Sequence, residues 1–349
     1  MANISGTYNF QSVQVELLIR DAYENISISP EFITPQKLES ARRSINLILL
    51  EWMNKSTNLW TLQSDFLSLN EFQSSYNLPN YVSDLTEVNL RTSTRVLGGT
   101  PASSSGDAGD SFDGDKTTSC TQNAPNGNIS YDYGQANAQN IKFVGILSNA
   151  NSKYSLTIEY SQDNINWKEL QVIESQSYFI GITKWLDILK PLTARAYRII
   201  EKAGATLDIQ EIYFNNNVLD TVISSISRNE YLGLPEKNIT GRPSVYYFDR
   251  TIIPAISIWP TPSALYNVIG YSYKKMMQDV GLYTNTIEIP SRFYPALVAA
   301  LSFKLSLKFN NEIADMLNQE YQDSFSLATI EDSENNIISV IPEWQNSKY

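Results

Sequence analysis

The 349 residues contain no histidine, and that one absence removes a large part of enzyme chemistry. Ser-His-Asp and Cys-His nucleophile systems, imidazole zinc sites and imidazole proton shuttles are excluded together. A carboxylate-pair glycosidase would survive, because its acid and its nucleophile or base are both Asp or Glu. No such pair stands out here, so no catalytic residue is named and the chain is read as not an enzyme. Cysteine is nearly absent too. Cys120 stands alone, no intramolecular disulfide can form, and a reducing compartment is the simpler reading. Long apolar runs are missing: none approaches the roughly 18 residues of a membrane span. The start, MANISGTYNF, lacks the basic n-region and apolar h-region of a signal peptide. Basic residues are outnumbered 26 to 37, for a formal charge of −11. That argues against a basic surface gripping nucleic acid, but not against a protein that surrounds DNA without holding it.

What is present is a foldable globular composition, 42% hydrophobic and 18% charged. Phe10, Val13 and Leu17 stand at helical spacing. TPQKLESARRSINLILLEWMN follows, with Thr34 as N-cap, Pro35 in the first turn and an apolar stripe of Leu38, Ala41, Ile45, Ile48, Leu49 and Trp52. Residues 98–111 are dense in Gly, Ser and Asp, the marks of a loop or linker. From 128 to 214 short β-branched and aromatic runs predict an antiparallel sandwich. Helical patterns return at PSRFYPALVAALSFKLSLKFN, from Pro290, and over 312–329. Removing 91–215 leaves a sequence that reads as one domain, the look of an insertion. The expected fold is therefore α+β: a helical domain with a small β part over 1–90 and 216–330, interrupted by an antiparallel β-sandwich (jelly roll) over 91–215. An acidic tail, 331–349, carries Glu331, Asp332, Glu334 and Glu343 against Lys348.

Within the middle segment, SFDGDKTTSC places Asp113 and Asp115 on either side of Gly114. Two carboxylates meet where the backbone bends, Thr118 adds a hydroxyl, and carbonyls could complete the all-oxygen shell that calcium prefers. The alternative is a bare turn whose carboxylates accept backbone hydrogen bonds.

Several motifs in order carry a resemblance to discoidin-like (galactose-binding-like) domains: FDGDKTT, ISYDYG, IEYSQDNINW, ARAYRI and IQEIYF. Such a turn in that family often holds structural Ca2+ with help from a last-strand glutamate, which matches Glu211. Ser119 and Cys120 stand where the family usually has aromatics. Sugar stacking needs exposed aromatics on end loops, a role open to Tyr178, Phe179 and Trp185, whereas Trp167 is expected in the core. The flanking parts resemble head-to-tail adaptor (connector) proteins of tailed phages, of the tail tubular protein A type. LIRDAYENISISPEFITPQKLESARRSINLILLEWMNKSTNLWTL, ISRNEYLGLPEKNITGRPSVYYFDR with ISIWPTP, and the helix from Pro290 carry this likeness. It implies a virion protein assembled in the host cytoplasm into a ring, usually dodecameric, at the head-tail interface. Portal protein, tail nozzle or tail tube protein and tail fibres would be its partners. DNA would pass through the lumen unheld, helped by an acidic wall that repels phosphate, and no membrane is implied. The runner-up is a glycan-binding virion protein.

Overall fold

The computed structural model describes residues 13–55, 59–123, 125–263 and 266–331. Phe10 and the tail residues Asp332, Glu334, Glu343 and Lys348 lie outside the described residues; Glu331 closes a helix instead of opening a tail. The chain forms two compact units, one from the residues up to 63 and from 274 onward, the other from 64–273.

The first unit is built on four helices: α1 (Val15–Asn25), α2 (Pro35–Met53), α3 (Tyr294–Phe309) and α4 (Ala314–Glu331). Val15, Leu18, Ile19, Ala22 and Tyr23 recur at i, i+3, i+4 spacing and bury one face of α1. On α2 the stripe runs Ala41, Ile45, Ile48, Leu49 and Trp52, and the Thr34 hydroxyl accepts from Lys37 N at the N-terminus. α3 is the central helix and touches the other three, which is why Ala296, Leu297, Ala300, Leu301 and Leu305 are all buried. The rings of Trp52, Phe293, Phe325 and Trp60 form a connected cluster, with neighbouring centroids 4.5–6.3 Å apart. Trp52 and Phe293 are fully buried, each worth about 1.5–3 kcal/mol of removed apolar surface, while Trp60 and Phe325 are partly buried against them. Among the described residues no helix is long and apolar enough to cross a membrane.

The second unit is β throughout apart from short helical turns, so strands outnumber helices in the described chain. Its main sheet contains β1 (Leu62–Ser68), β2 (Val82–Arg95), β3 (Phe143–Ser148), β4 (Thr183–Asp187), β5 (Leu207–Val222) and β6 (Val268–Lys275). Their order is β1-β6-β2-β5-β3-β4, with Cys120–Gln122 also pairing with β5. A five-stranded sheet of Lys168–Tyr178, Ser152–Ser161, Ala196–Glu201, Asn128–Asp132 and Thr100–Ser103 faces it. Tyr154, Ile158, Tyr197 and Ile199 of this sheet meet Val144, Ile146, Ile212 and Phe214 of the other to form the sandwich core. A hairpin, Val245–Asp249 with Ala255–Trp259, builds a smaller sheet with Ser75–Asn77.

The sheet does not pause at residues 91 or 215, the bounds suggested by composition. β5 pairs with β3 from Ile209 to Asn215 and with β2 from Asn215 to Val222, so Asn215 has both Phe143 and Arg95 as register partners. A bulge between Asn216 and Leu219, with Asn217 at φ 49°, separates the two halves. Thr100–Ser103, inside the expected linker, is a strand of the sandwich.

Candidate functional site: the acidic turn and the aromatic loop

The acidic turn lies between a short helical turn, Gly109–Ser111, and the strand Cys120–Gln122. Gly114 takes φ 86°, a left-handed conformation that a side chain would strain. Asp113 Oδ1 accepts from Asp115 N at 2.8 Å, and Asp115 Oδ1 accepts from Thr117 N at 2.9 Å and Thr117 Oγ1 at 2.7 Å. The Thr117 bonds hold the Asp115 carboxyl below the usual carboxylate range. That carboxylate is therefore spent on the turn, while its main-chain oxygen faces Thr118.

Thr118 Oγ1 has three acceptors around it: Asp115 O at 2.9 Å, Asp113 Oδ2 at 3.1 Å and Asp110 O at 3.4 Å. A hydroxyl has one proton and can satisfy one of them. The remaining oxygens form a cluster short of positive charge, with the donor chemistry of an oxygen-ligated cation site. Among the described residues no group of three or more Cys, Asp or Glu side chains is placed to hold a metal ion; the cluster depends on main-chain carbonyls and a hydroxyl. Glu211 approaches from β5, fully buried, and its Oε1 accepts from Gly114 N at 2.5 Å. Burial pushes its carboxyl up against the opposing pull of Arg95. Arg95 Nη2 is 2.6 Å from Glu211 Oε2. Sequence reasoning missed Arg95, because 116 positions separate it from Glu211 and no local pattern links them. Of the four expected ligands, Asp113 and Thr118 meet directly at 3.1 Å and Asp115 offers its main-chain oxygen to Thr118, while both Glu211 oxygens are already engaged, by Gly114 N and Arg95 Nη2.

The three aromatics proposed for sugar contact part company. Tyr178 is 1% exposed, its ring 5.3 Å from that of Tyr154 in the sandwich core. Trp185 is 5% exposed and stacks on Phe143 at 4.8 Å and 8°. It lies so close over Gly145 that a Cβ there would come within 2.5 Å of the indole, and its Nε1 donates to Ser68 Oγ at 2.9 Å. Both leave the list of sugar contacts: their ring faces are already covered. Phe179 is 53% exposed and sits between Tyr178 and Ile180 at a loop turned by Gly181 (φ 76°), with Ile180 and Ile182 also exposed. Trp167, expected in the core, is half-buried with the Arg198 guanidinium 4.4 Å over its ring.

No protein-family model matches the chain, and no curated protein matches it. Solved structures do. The CBM32 of AlyQ in complex with 4,5-unsaturated mannuronic acid is 19% identical, over 34% of this chain and 94% of that one, at TM-score 0.30. A pectin binding carbohydrate binding module is 21% identical, over 36% and 94%, at 0.30. The family 32 module of C. perfringens NanJ, in complex with galactose, is 16% identical, over 36% and 99%, at 0.29. These three are carbohydrate-binding modules, and each corresponds to about a third of this chain.

Proposed function

We propose that this protein is a structural, non-catalytic assembly protein: one copy in a head-to-tail ring that joins a portal to a tail and lets DNA pass through its lumen. The observation that carries the reading is a pair of unlike faces on the helical unit. The exposed side of α2 presents Arg43, Leu47 and Leu50, while that of α4 presents Met316, Glu320, Asp323, Leu327 and Ile330. α4 has four acidic residues (Asp315, Glu320, Asp323, Glu331) and no Lys or Arg. α2 has three basic residues (Lys37, Arg42, Arg43) against two acidic ones (Glu39, Glu51). Both faces are apolar, and Arg43 on the α2 face, with Glu39 one turn before it, meets the more acidic α4 face of Glu320 and Asp323, so one copy's α2 complements another's α4. A heterologous contact of this kind closes into a ring when its rotation permits. The likeness of the flanking sequence to phage adaptors supplies the partners: portal, tail nozzle or tube, and fibres at the virion's head-tail interface. Electron microscopy of the protein mixed with its portal tests this. A symmetric collar of added density is expected; an intact portal that gains none overturns the reading.

In the same proposal the acidic turn takes Ca2+, which would supply the positive charge that its oxygen cluster lacks. A higher melting temperature in calcium than in chelator is expected, and coincident curves at saturating calcium would reduce the turn to its own hydrogen bonds.

A second reading, glycan binding, is favoured by Phe179, whose exposed ring on an end loop is the platform that sugar stacking needs. A glycan array followed by Phe179→Ala tests it: retained binding in the variant, or none in the wild type, rejects Phe179 as that platform.

A further inference from the structure

We infer that Asn126 is a site of spontaneous covalent ageing, at which its carboxamide closes on the nitrogen of Gly127 and ends as an aspartyl or isoaspartyl group. Closure of this five-membered ring is least hindered when the next residue is glycine, which has no Cβ in the way. The sequence holds two such pairs, Asp113-Gly114 and Asn126-Gly127, and the fold treats them oppositely. At Asp113 every reacting group is held. Oδ1 accepts from Asp115 N at 2.8 Å, Oδ2 lies 3.1 Å from Thr118 Oγ1, and Gly114 N, the nitrogen that would attack, donates to Glu211 Oε1.

At Asn126 the reacting groups are free. The residue is exposed, at φ 63°, a left-handed conformation that Asn tolerates better than most side chains. Its main-chain oxygen accepts from Asn128 Nδ2 at 3.4 Å, but among the described residues its carboxamide has no hydrogen-bond partner and Gly127 N donates to no acceptor. Glycine is also obligatory there, because a Cβ would come within 2.6 Å of Gln122 Cβ. The packing that fixes this loop therefore keeps the least hindered successor behind an unheld asparagine.

The chemistry needs only water. Gly127 N gives up its proton to the solvent and bonds to Asn126 Cγ; the Cγ–NH2 bond breaks and ammonia leaves. Water then opens the ring at either carbonyl. One opening leaves an aspartyl side chain. The other runs the main chain through Cβ and Cγ, one carbon longer, just before the strand Asn128–Asp132. Gly127 O accepts from Glu201 N at 3.0 Å and Asn128 N donates to Ser104 Oγ at 3.1 Å, so the longer chain displaces a joint of the sandwich. Both products add a negative charge.

The test keeps the full chain in warm, mildly alkaline buffer, folded or in urea, and maps its tryptic peptides by mass spectrometry over time; cleavage at Lys116 separates the two pairs. Asn126→Gly, which retains the positive φ and lacks the carboxamide, ages alongside. In the folded protein the Asn126 peptide is expected to change from amide to acid and to yield isoaspartate, while the Asp113 peptide yields none; in urea both yield it. Aged wild type is expected to melt below fresh wild type, and the aged variant to melt as it did when fresh. An Asn126 amide that survives in the folded protein overturns the inference. Isoaspartate forming at Asp113 as fast as at Asn126 in the folded protein overturns the protection by Glu211 and the inference with it. An equal fall in melting temperature in Asn126→Gly overturns the displaced joint.

Discussion

Glu201 shows how much structure one carboxylate can organise. It is fully buried, and it accepts from four backbone N–H groups: Ser155 and Ala203 on Oε1, Gly204 and Ala205 on Oε2, at 2.7–3.3 Å. Ala203 and Gly204 are exposed and Ser155 and Ala205 half-buried, so water replaces much of the lost acceptor, and Glu201→Ala is expected to cost about 1–3 kcal/mol in all, measured by urea unfolding. Trp185→Ala is expected to cost about 3–5 kcal/mol in the same assay. Phe179→Ala should change stability by less than about 0.5 kcal/mol, because its ring is exposed. A result that reverses the two aromatics would contradict their placement. Asp132 makes a pH-dependent contribution. Two bonds from Arg195, at 2.9 and 2.7 Å, are the chief cause that holds its carboxyl below the ordinary value. A carboxylate whose folded-state pKa is depressed stabilises the fold above its unfolded value, and that stabilisation is lost as pH falls through the folded value. Wild type and Asp132→Asn should therefore differ most near neutrality and converge in acid; a constant gap from pH 7 down to 2 would rule this out. At this scale the sequence showed which residues could do chemistry in the turn, since Asp113, Gly114 and Thr118 are neighbours. It hid the partners brought by long-range pairing, Arg95 above all.

Helices and strands differ in how plainly they were written. The period of α1 and α2, and the Thr34-Pro35 start, made both visible with their buried faces. α3 was visible as a helix from its apolar run, and its burial on several sides explains why no polar face interrupts it. The strand β3, FVGILS, is buried at all six positions, which two-sided cover produces and simple alternation does not. That pattern was the available signal that the sandwich's main sheet has something on its other face. Phe66 and Val268 are there, packed with Phe143 and Trp185, and this explains why Trp185 could not be a free platform. The exposed faces of α2 and α4 give the prediction at this scale. Leu50→Glu and Leu327→Glu should each fold normally, because both side chains are exposed, yet each should prevent the protein from adding a collar to its portal. Normal collars from both variants would send the search for the contact elsewhere.

Across the 64–273 unit, the feature that matters most is the continuity of β2 and β5. Arg91 reinforces it, lying 4.6 Å from the Phe66 ring and 4.8 Å from the Phe143 ring, paired with Asp220 at 2.6 Å and also with Asp187. The sandwich and the sheet that bears it are one body, and hydrogen exchange checks this: amides in both halves of β5 should open with similar protection, falling together in Arg91→Ala. Independent opening of the 207–215 half would show a separable module. The sequence suggested an insertion from its change in composition, but the two strands that carry the chain in and out read as ordinary β segments, so their length and fusion could not be seen. The same continuity has a mechanical meaning. A pull on the sandwich loads β2 and β5 along their axes, so their cross-strand bonds are strained in shear, many at once, instead of being unzipped one by one. A tug on the β-sandwich is thus passed into the sheet beneath it as if through a rigid lever, not absorbed by a tether.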